Sequence, residues 1–313
     1  MLEALLDDET AGDPIHGTKW TRKTLDKLAT GLKQRKLDAG RETVRRLLRR
    51  LKYELRANRK RLSKRQDAGR DRQMRYIARI RHTYEKAGKP VISVDTKKKE
   101  LIGNFRNAGR TWCQSPREVL ATDFLSDAQG KAIPYGIYDV AHNAGFIVIG
   151  TSHETAAFAV NAIRCWWRRE GRRLFPDQAE LLILADAGGA NGYRSGLWKW
   201  ELQRLADETG LSIRVMHYPT SASKWNLIEH RLFSYISSNW AGQPLVSYET
   251  VLKFIRTTRT AQGLRCKACL DTTDYATGLK VSPEQKANIN MISHQVLPKW
   301  NYTISPHASS RRK

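Results

Sequence analysis

No run of ~18 apolar residues occurs in the 313-residue chain, so no segment is expected to cross a membrane as a helix. The opening residues, MLEALLDDET, lack the positive n-region and apolar core of a signal peptide, and a cytoplasmic, nucleoid-associated protein is expected. Cysteine is sparse. Cys113, Cys165, Cys266 and Cys269 are expected to be reduced. Cys266 and Cys269 form a C-x-x-C with no second pair, short of the four ligands of structural zinc, and read as ordinary strand residues. No G-x-x-x-x-G-K-[ST], no G-x-G-x-x-G and no nucleophile elbow occurs. No Arg/His constellation surrounds any one of the 11 tyrosines, which argues against tyrosine-based recombination. Acidic residues are also scarce, 31 against 55 Lys and Arg, giving a net charge of +24 and a pI of about 10.1. Such a surface calls for a polyanion. An anionic membrane is the competing partner, but neither end carries a lipidation motif.

What is present is enough for two domains and a sizeable core, with hydrophobic residues at 40%. More than half of the excess positive charge falls in residues 1–90, which suggests a separate DNA-binding module. The periodicity predicts a helix from about Thr21, its N-cap, to Gln34, with Leu25, Leu28, Ala29 and Leu32 on one face. A second helix is expected from Arg41 to about Leu55, with Val44, Leu47, Leu48 and Leu51 inward. Its other face carries Arg41, Arg45, Arg46, Arg49, Arg50 and Lys52. With the turn Leu37-Asp38-Ala39-Gly40 between them, these helices have the outline of a helix-turn-helix over residues 1–60. Residues 61–89 read as a basic helical connector with Met74, Ile77, Ile80 and Tyr84 as its packing face.

From Pro90 to the end the pattern becomes that of an α/β domain. Strands are expected at Val91–Asp95, 131–140 and Phe146–Gly150, then a helix at Glu154–Arg169. The strand Leu181–Ala185, a helix over 196–209 and the strand Leu211–His217 follow. A long helix, Ser223–Trp240, comes next, and a further helix and short strands come after about 247. This βββαβαβα order fits a ribonuclease H-like mixed sheet covered by helices.

Three carboxylates stand where chemistry could be built. Asp95 closes the first strand and Asp186 the apolar run LLILA. Glu229 borders the stripe Ile228, Leu232, Ile236. If the two strands lie side by side, the aspartates are ~5 Å apart across the ladder, at the edge where open α/β sheets place their sites. Three oxygen donors suit Mg²⁺, and two such ions can clamp the attacking and leaving oxygens of an in-line phosphoryl transfer. Spacing alone leaves Asp123 and Asp139 as rivals. Lys97, Lys98, Lys99, Lys224 and Arg231 flank the site and are candidate phosphate contacts. The glycines of AGGANG, after Asp186, read as a turn allowing close approach. Trp198, Trp200, Trp225, Trp240 and Trp300 are expected mostly in the core.

The stretches RDRQMRYI, GKPVISVDTKKKELIGNF, IPYGIYDVAHNAGF, LWKWELQRLADETGL, HYPTSASKWNLIEHRLFS, LDTTDYATGLKVS and WNYTISP follow one another along nearly the whole chain. Together they resemble the Rhodopirellula-type DDE transposases of bacterial insertion sequences. That resemblance implies a ribonuclease H-like catalytic domain whose Asp95, Asp186 and Glu229 hold Mg²⁺ or Mn²⁺. It implies binding to transposon terminal inverted repeats and target DNA, strand cleavage and strand transfer, and a homo-oligomer in the synaptic complex. Ala190 stands where the family pattern leads one to expect serine, and PTSASKWN where it leads one to expect a Pro-Gly-Thr core. The chain is expected to start within the family's N-terminal helical region. Two other readings use the same residues differently: a nuclease that cuts without joining, and a non-enzymatic DNA-binding repressor descended from a transposase.

Overall fold

The computed structural model describes residues 2, 10–12, 19–21, 24–53, 69–220, 222 and 225–308. Ser223, Lys224, the end of the second expected helix and the basic tail Arg311-Arg312-Lys313 lie outside them. The chain divides into two compact units, Met1–Leu62 and Ser63–Lys313.

In the first unit, β1 (Thr10–Gly12) pairs antiparallel with β2 (Lys19–Thr21). Helix α1 (Leu25–Gln34) begins later than its apolar spacing suggests. Thr21 belongs to the hairpin, and the cap is Thr24, whose hydroxyl accepts the Lys27 N–H at 3.2 Å. Helix α2 (Arg41–Arg50) follows. Leu28, Leu32 and Val44 are buried together, with Leu25, Ala29, Leu47, Leu48 and Leu51 packed around them. That is the face the periodicity marked.

The second unit opens with α3 (Arg70–Lys86). Its Ile77 and Tyr84, with Met74 and Ile80, pack against Val91, Leu182, Leu184 and Met216. The strands follow in chain order: β3 (Val91–Thr96), β4 (Glu100–Ile102), β5 (Gly130–Asp139) and β6 (Ala144–Gly150). Helix α4 (Ala156–Trp166) continues through a π turn, and β7 (Glu180–Ala185), α5 (Gly196–Thr209) and β8 (Ser212–His217) come after it. A second π turn, Glu229–Phe233, leads into α6 (Ser234–Asn239). Then come α7 (Tyr248–Thr257), β9 (Arg265–Asp271), α8 (Pro283–Ala287), β10 (Met291–Ser293) and β11 (Asn301–Ile304).

The strands form one nine-stranded sheet in the order β10-β11-β8-β7-β3-β5-β6-β9, with β4 paired to β5. β3, β7 and β8 run parallel to one another, and β5 is antiparallel to β3 and β6. The expected mixed α/β fold is therefore present. Ile92, Val94, Leu181, Ile183 and Ala185 face α4 and α5, where Trp166 and Trp198 are fully buried. Burying each such large apolar side chain is worth ~1.5–3 kcal/mol. The alternate residues Leu182 and Leu184 face the α3 side.

Cys266 and Cys269 are buried on strand β9. The helix expected from Ser223 is shorter: Asn226 precedes its first turn, and the π turn widens it at Glu229.

Candidate active site

β3 and β7 are parallel neighbours, with Val94 paired to Ala185 at the end of their ladder. The next residue on each chain is Asp95 or Asp186, so the two leave the sheet side by side. By strand alternation Asp95 shares the face of Ser93, and Asp186 that of Leu184. This is the face covered by the helix that carries Glu229. Two glycines let that helix come close. Gly136 is the β5 partner of Asp95, and a Cβ there would stand 2.5 Å from Phe233 and 2.8 Å from Ile228. Gly145 on β6 admits Leu232 in the same way. Ile228, Leu232, Phe233 and Ile236 are buried against the sheet, and Glu229 stays half-exposed at its rim.

Each aspartate is held by local donors. Asp95 Oδ1 accepts the Thr96 N–H at 2.8 Å, and Oδ2 accepts the Asn226 side-chain N–H at 3.1 Å. Asn226 is fully buried and is itself fixed, since its Oδ1 accepts the Ser93 hydroxyl at 2.5 Å. Ser93 also accepts the Ile228 N–H at 3.3 Å. A Ser93–Asn226 bridge therefore ties the first aspartate to the start of the glutamate's helix. Asp186 Oδ1 accepts the Ala187 N–H at 2.6 Å.

The electrostatics are those of crowded acids. Burial, and then the charges of Asp186 and Glu229, push the Asp95 carboxyl up from 3.8 to about 7. Burial likewise raises Asp186. Glu229 is raised by burial and by Asp186, against the lowering effect of His230 and Lys97. Burial holds His217, at the end of β8, near 4 and hence neutral.

Among the described residues, no group of three His, Cys, Asp or Glu side chains stands within reach of one ion. The donor chemistry nevertheless fits a hard divalent cation. All three groups offer oxygens, they repel one another as they stand, and the buried Thr96 hydroxyl beside Asp95 has no hydrogen-bond partner. A cation shared by these groups would turn their repulsion into attraction.

The rivals fall elsewhere. Asp139 pairs with Ile92, at the opposite end of β3, and is spent on the Ala141 and His142 N–H groups and the His142 ring. Asp123 is exposed in the segment between β4 and β5.

The expected phosphate contacts divide. Lys97 is buried, bonded to Glu100 at 3.0 Å and seated 4.4 Å over the Trp240 ring, so its ammonium faces inward. Lys99 pairs with Glu154 at 2.8 Å. Lys98 and Arg231 are exposed. On α2, Arg41, Arg46, Arg49 and Arg50 are exposed, and Arg45 is half-buried and paired with Glu42.

Of the tryptophans, Trp198, Trp240 and Trp300 are core residues, whereas Trp225, next to Asn226, is 53% exposed. Gly189 adopts φ +63°, as the glycine-rich turn requires, and Ala190 is packed into the core. Ser93 and Asn226 escaped the sequence reading. The available signals were the position of Ser93 two residues before Asp95, on the same strand face, and of Asn226 one helical turn before Glu229.

No curated protein matches the chain. Among solved structures it is similar to the Mos1 transposase paired-end complex with left transposon end, at 16% identity and a TM-score of 0.44, over 81% of this chain and 68% of that one. It is also similar to the Mos1 strand transfer complex, at 15% identity and a TM-score of 0.45, over 81% and 67%. A mariner Mos1 paired-end complex with Mg gives 15% and 0.44, over 81% and 68%. These likenesses are distant. The family match is broad: residues 1–306 fit the family described as the Rhodopirellula transposase DDE domain. A site of two strand-end aspartates and a helix-borne glutamate thus sits in a chain that belongs to the Rhodopirellula transposase DDE family.

Proposed function

We propose that this protein is an insertion-sequence transposase that cleaves and joins DNA strands at a site formed by Asp95, Asp186 and Glu229 on a ribonuclease H-like sheet. One observation carries the reading. Two aspartates leave adjacent parallel strands side by side, and a glutamate on the covering helix shares their field. Asp95, Asp186 and Glu229 would hold Mg²⁺ or Mn²⁺, which when bound supplies Lewis-acid stabilisation of charge on the phosphate oxygens. The chain's own groups do the positioning. Ser93 and Asn226 fix Asp95, Gly136 seats the helix of Glu229, and the exposed Lys98 and Arg231 would hold phosphates. Trp225 offers an exposed ring for stacking against a base.

The first unit recognises the terminal inverted repeats. Its α1–α2 pair works as a helix-turn-helix, with Arg41, Arg46, Arg49 and Arg50 turned to DNA and Val44, Leu47 and Leu48 inward. Hydrolysis of one strand frees a 3′-hydroxyl, which then attacks a phosphodiester of the target DNA and displaces the target strand's own 3′-oxygen, so that one phosphodiester bond forms as another breaks. Two element ends call for two copies of the chain in the synaptic complex.

The test is incubation with a labelled transposon-end duplex, a target plasmid and Mg²⁺. Joined products are expected from the wild type and none from Asp95→Asn, Asp186→Asn or Glu229→Gln. Cut but unjoined ends would mark a nuclease instead, and end binding without cutting would mark a repressor.

A further inference from the structure

Five polar side chains are sealed in the second unit behind Asp186. They are Gln73 of α3, Trp198 of α5, His217 at the end of β8, and Asn301 and Tyr302 of β11, each no more than 1% exposed. Polar groups buried this deeply are costly unless hydrogen-bonded, and here the bonds form one connected set. The Gln73 and Asn301 side-chain amides bond each other reciprocally, at 2.7 Å in both directions. The Gln73 amide N–H also donates to the His217 main-chain carbonyl at 2.9 Å. Trp198 Nε1–H donates to the Tyr302 hydroxyl at 2.9 Å, and that hydroxyl lies 3.1 Å from His217 Nε2. The other ring nitrogen, Nδ1, lies 2.9 Å from the main-chain carbonyl oxygen of Asp186.

The proton positions follow from this arrangement. A carbonyl oxygen can only accept, so Nδ1 carries the hydrogen. The neutral ring then has a bare Nε2, and the Tyr302 hydroxyl donates to it while accepting from Trp198. The donors run one way, from Trp198 through Tyr302 and His217 to the Asp186 carbonyl. The ladder between β7 and β8 ends at Ala185 and His217. Asp186 is the first residue beyond it, and the turn Gly188–Gly189 begins two residues later. The His217 ring therefore supplies the bond that the sheet no longer provides.

The geometry points to His217 and Tyr302 as positioning residues that fix the main chain of Asp186 and so aim its carboxylate; this rests on the reading of Asp186 as a metal ligand. Three stretches far apart in the chain, RDRQMRYI, HYPTSASKWN and WNYTISP, meet in this one network. Removing the Tyr302 hydroxyl leaves the bare Nε2 without a donor and the Trp198 N–H without an acceptor. The ring keeps its Nδ1–H but loses the contact that holds it in place, and can tilt away from the Asp186 carbonyl. His217→Asn retains an amide N–H in the place of Nδ1–H, whereas His217→Gln carries its amide one bond farther out.

The test measures Mn²⁺ binding to the DNA-free full-length protein by electron paramagnetic resonance, with ¹⁵N NMR of the His217 ring and thermal melting beside it. The wild type is expected to bind Mn²⁺ and to show a protonated Nδ1, and Asp186→Asn is expected to lose binding. Tyr302→Phe and His217→Gln are expected to weaken binding roughly tenfold, as loss of the groups that orient a ligand commonly does. His217→Asn should stay close to wild type. Tyr275→Phe is the control. It removes a comparable hydrogen bond, 2.7 Å to Asp271, away from this network, and it should lower the melting temperature without changing Mn²⁺ binding. If Tyr302→Phe binds Mn²⁺ like the wild type, or loses no more than Tyr275→Phe, the positioning role is overturned while the site's function stands. A wild type that binds no Mn²⁺, or an Asp186→Asn that binds it fully, overturns the reading of the site itself.

Discussion

Asp95 is the residue on which two opposing demands meet. Its carboxyl is held near 7, against 3.8 for the free group, chiefly by burial and then by Asp186. A raised carboxylate pKa means that the folded chain keeps a proton that the unfolded chain releases. Between pH ~4 and ~7 stability therefore falls as pH rises, and above 7 the full cost is present, at most on the order of 4 kcal/mol. Asp95→Asn removes that cost. In metal-free thermal melts the variant is expected to be more stable than the wild type at pH 8, to converge with it at pH 4, and to be inactive. Equal melting temperatures at pH 8 would contradict the crowding of the carboxylates. Asn226 acts in the opposite sense, because its hydrogen bond lowers the Asp95 pKa. Asn226→Ala is expected to move the acid limb of the pH–rate profile for strand cleavage upward. An unmoved limb would show that the bond does not bear on the ionisation that limits the reaction.

At the scale of elements, the approach of the glutamate's helix to the sheet depends on Gly136. A methyl group there meets Phe233 and Ile228 at less than contact distance. Gly136→Ala is therefore expected to cost ~1–3 kcal/mol in urea unfolding and to lower cleavage further by lifting Glu229. Wild-type stability and rate in that variant would show that the helix has room to spare.

The sequence encodes some of these elements more plainly than others. β3, β6 and β7 carry apolar runs, because central strands are covered on both faces, and with β5 and β8 they could be placed within a residue or two. The start of α1 was misplaced because Thr21 and Thr24 are equally good caps by composition, and only the hairpin pairing separates them. Apolar spacing overstates the length of the glutamate's helix, because it does not reveal that Asn226 turns inward to Asp95. The pairing of β9 with β6 and of β11 with β8 depends on partners about 85 to 120 residues away in the chain, which local patterning does not encode. His217 and Tyr302 escaped notice for the same reason. The two strand-end aspartates could be seen from the strands they close, but their separation from Asp123 and Asp139 came from the family pattern and then from the register of β3.

For the whole molecule the governing quantity is a net charge of +24. Among the described residues no helix is long and apolar enough to cross a membrane, and the exposed arginines of α2 are the proposed basic face for DNA. Binding to a transposon-end duplex, followed by fluorescence anisotropy, is expected to weaken steeply with salt. Replacing Arg46, Arg49 and Arg50 together by glutamine should flatten the log–log slope by ~0.9 for each phosphate that is no longer neutralised. An unchanged slope would remove α2 from the interface.

The proposal that Asp95, Asp186 and Glu229 serve one catalytic centre is tested by anomalous diffraction from crystals grown with Mn²⁺ and end DNA. The expected result is Mn²⁺ density between Asp95 and Asp186, with Glu229 ligating at the same centre. Mn²⁺ bound at other carboxylates such as Glu154 or Glu201, with these three left unligated, would contradict it.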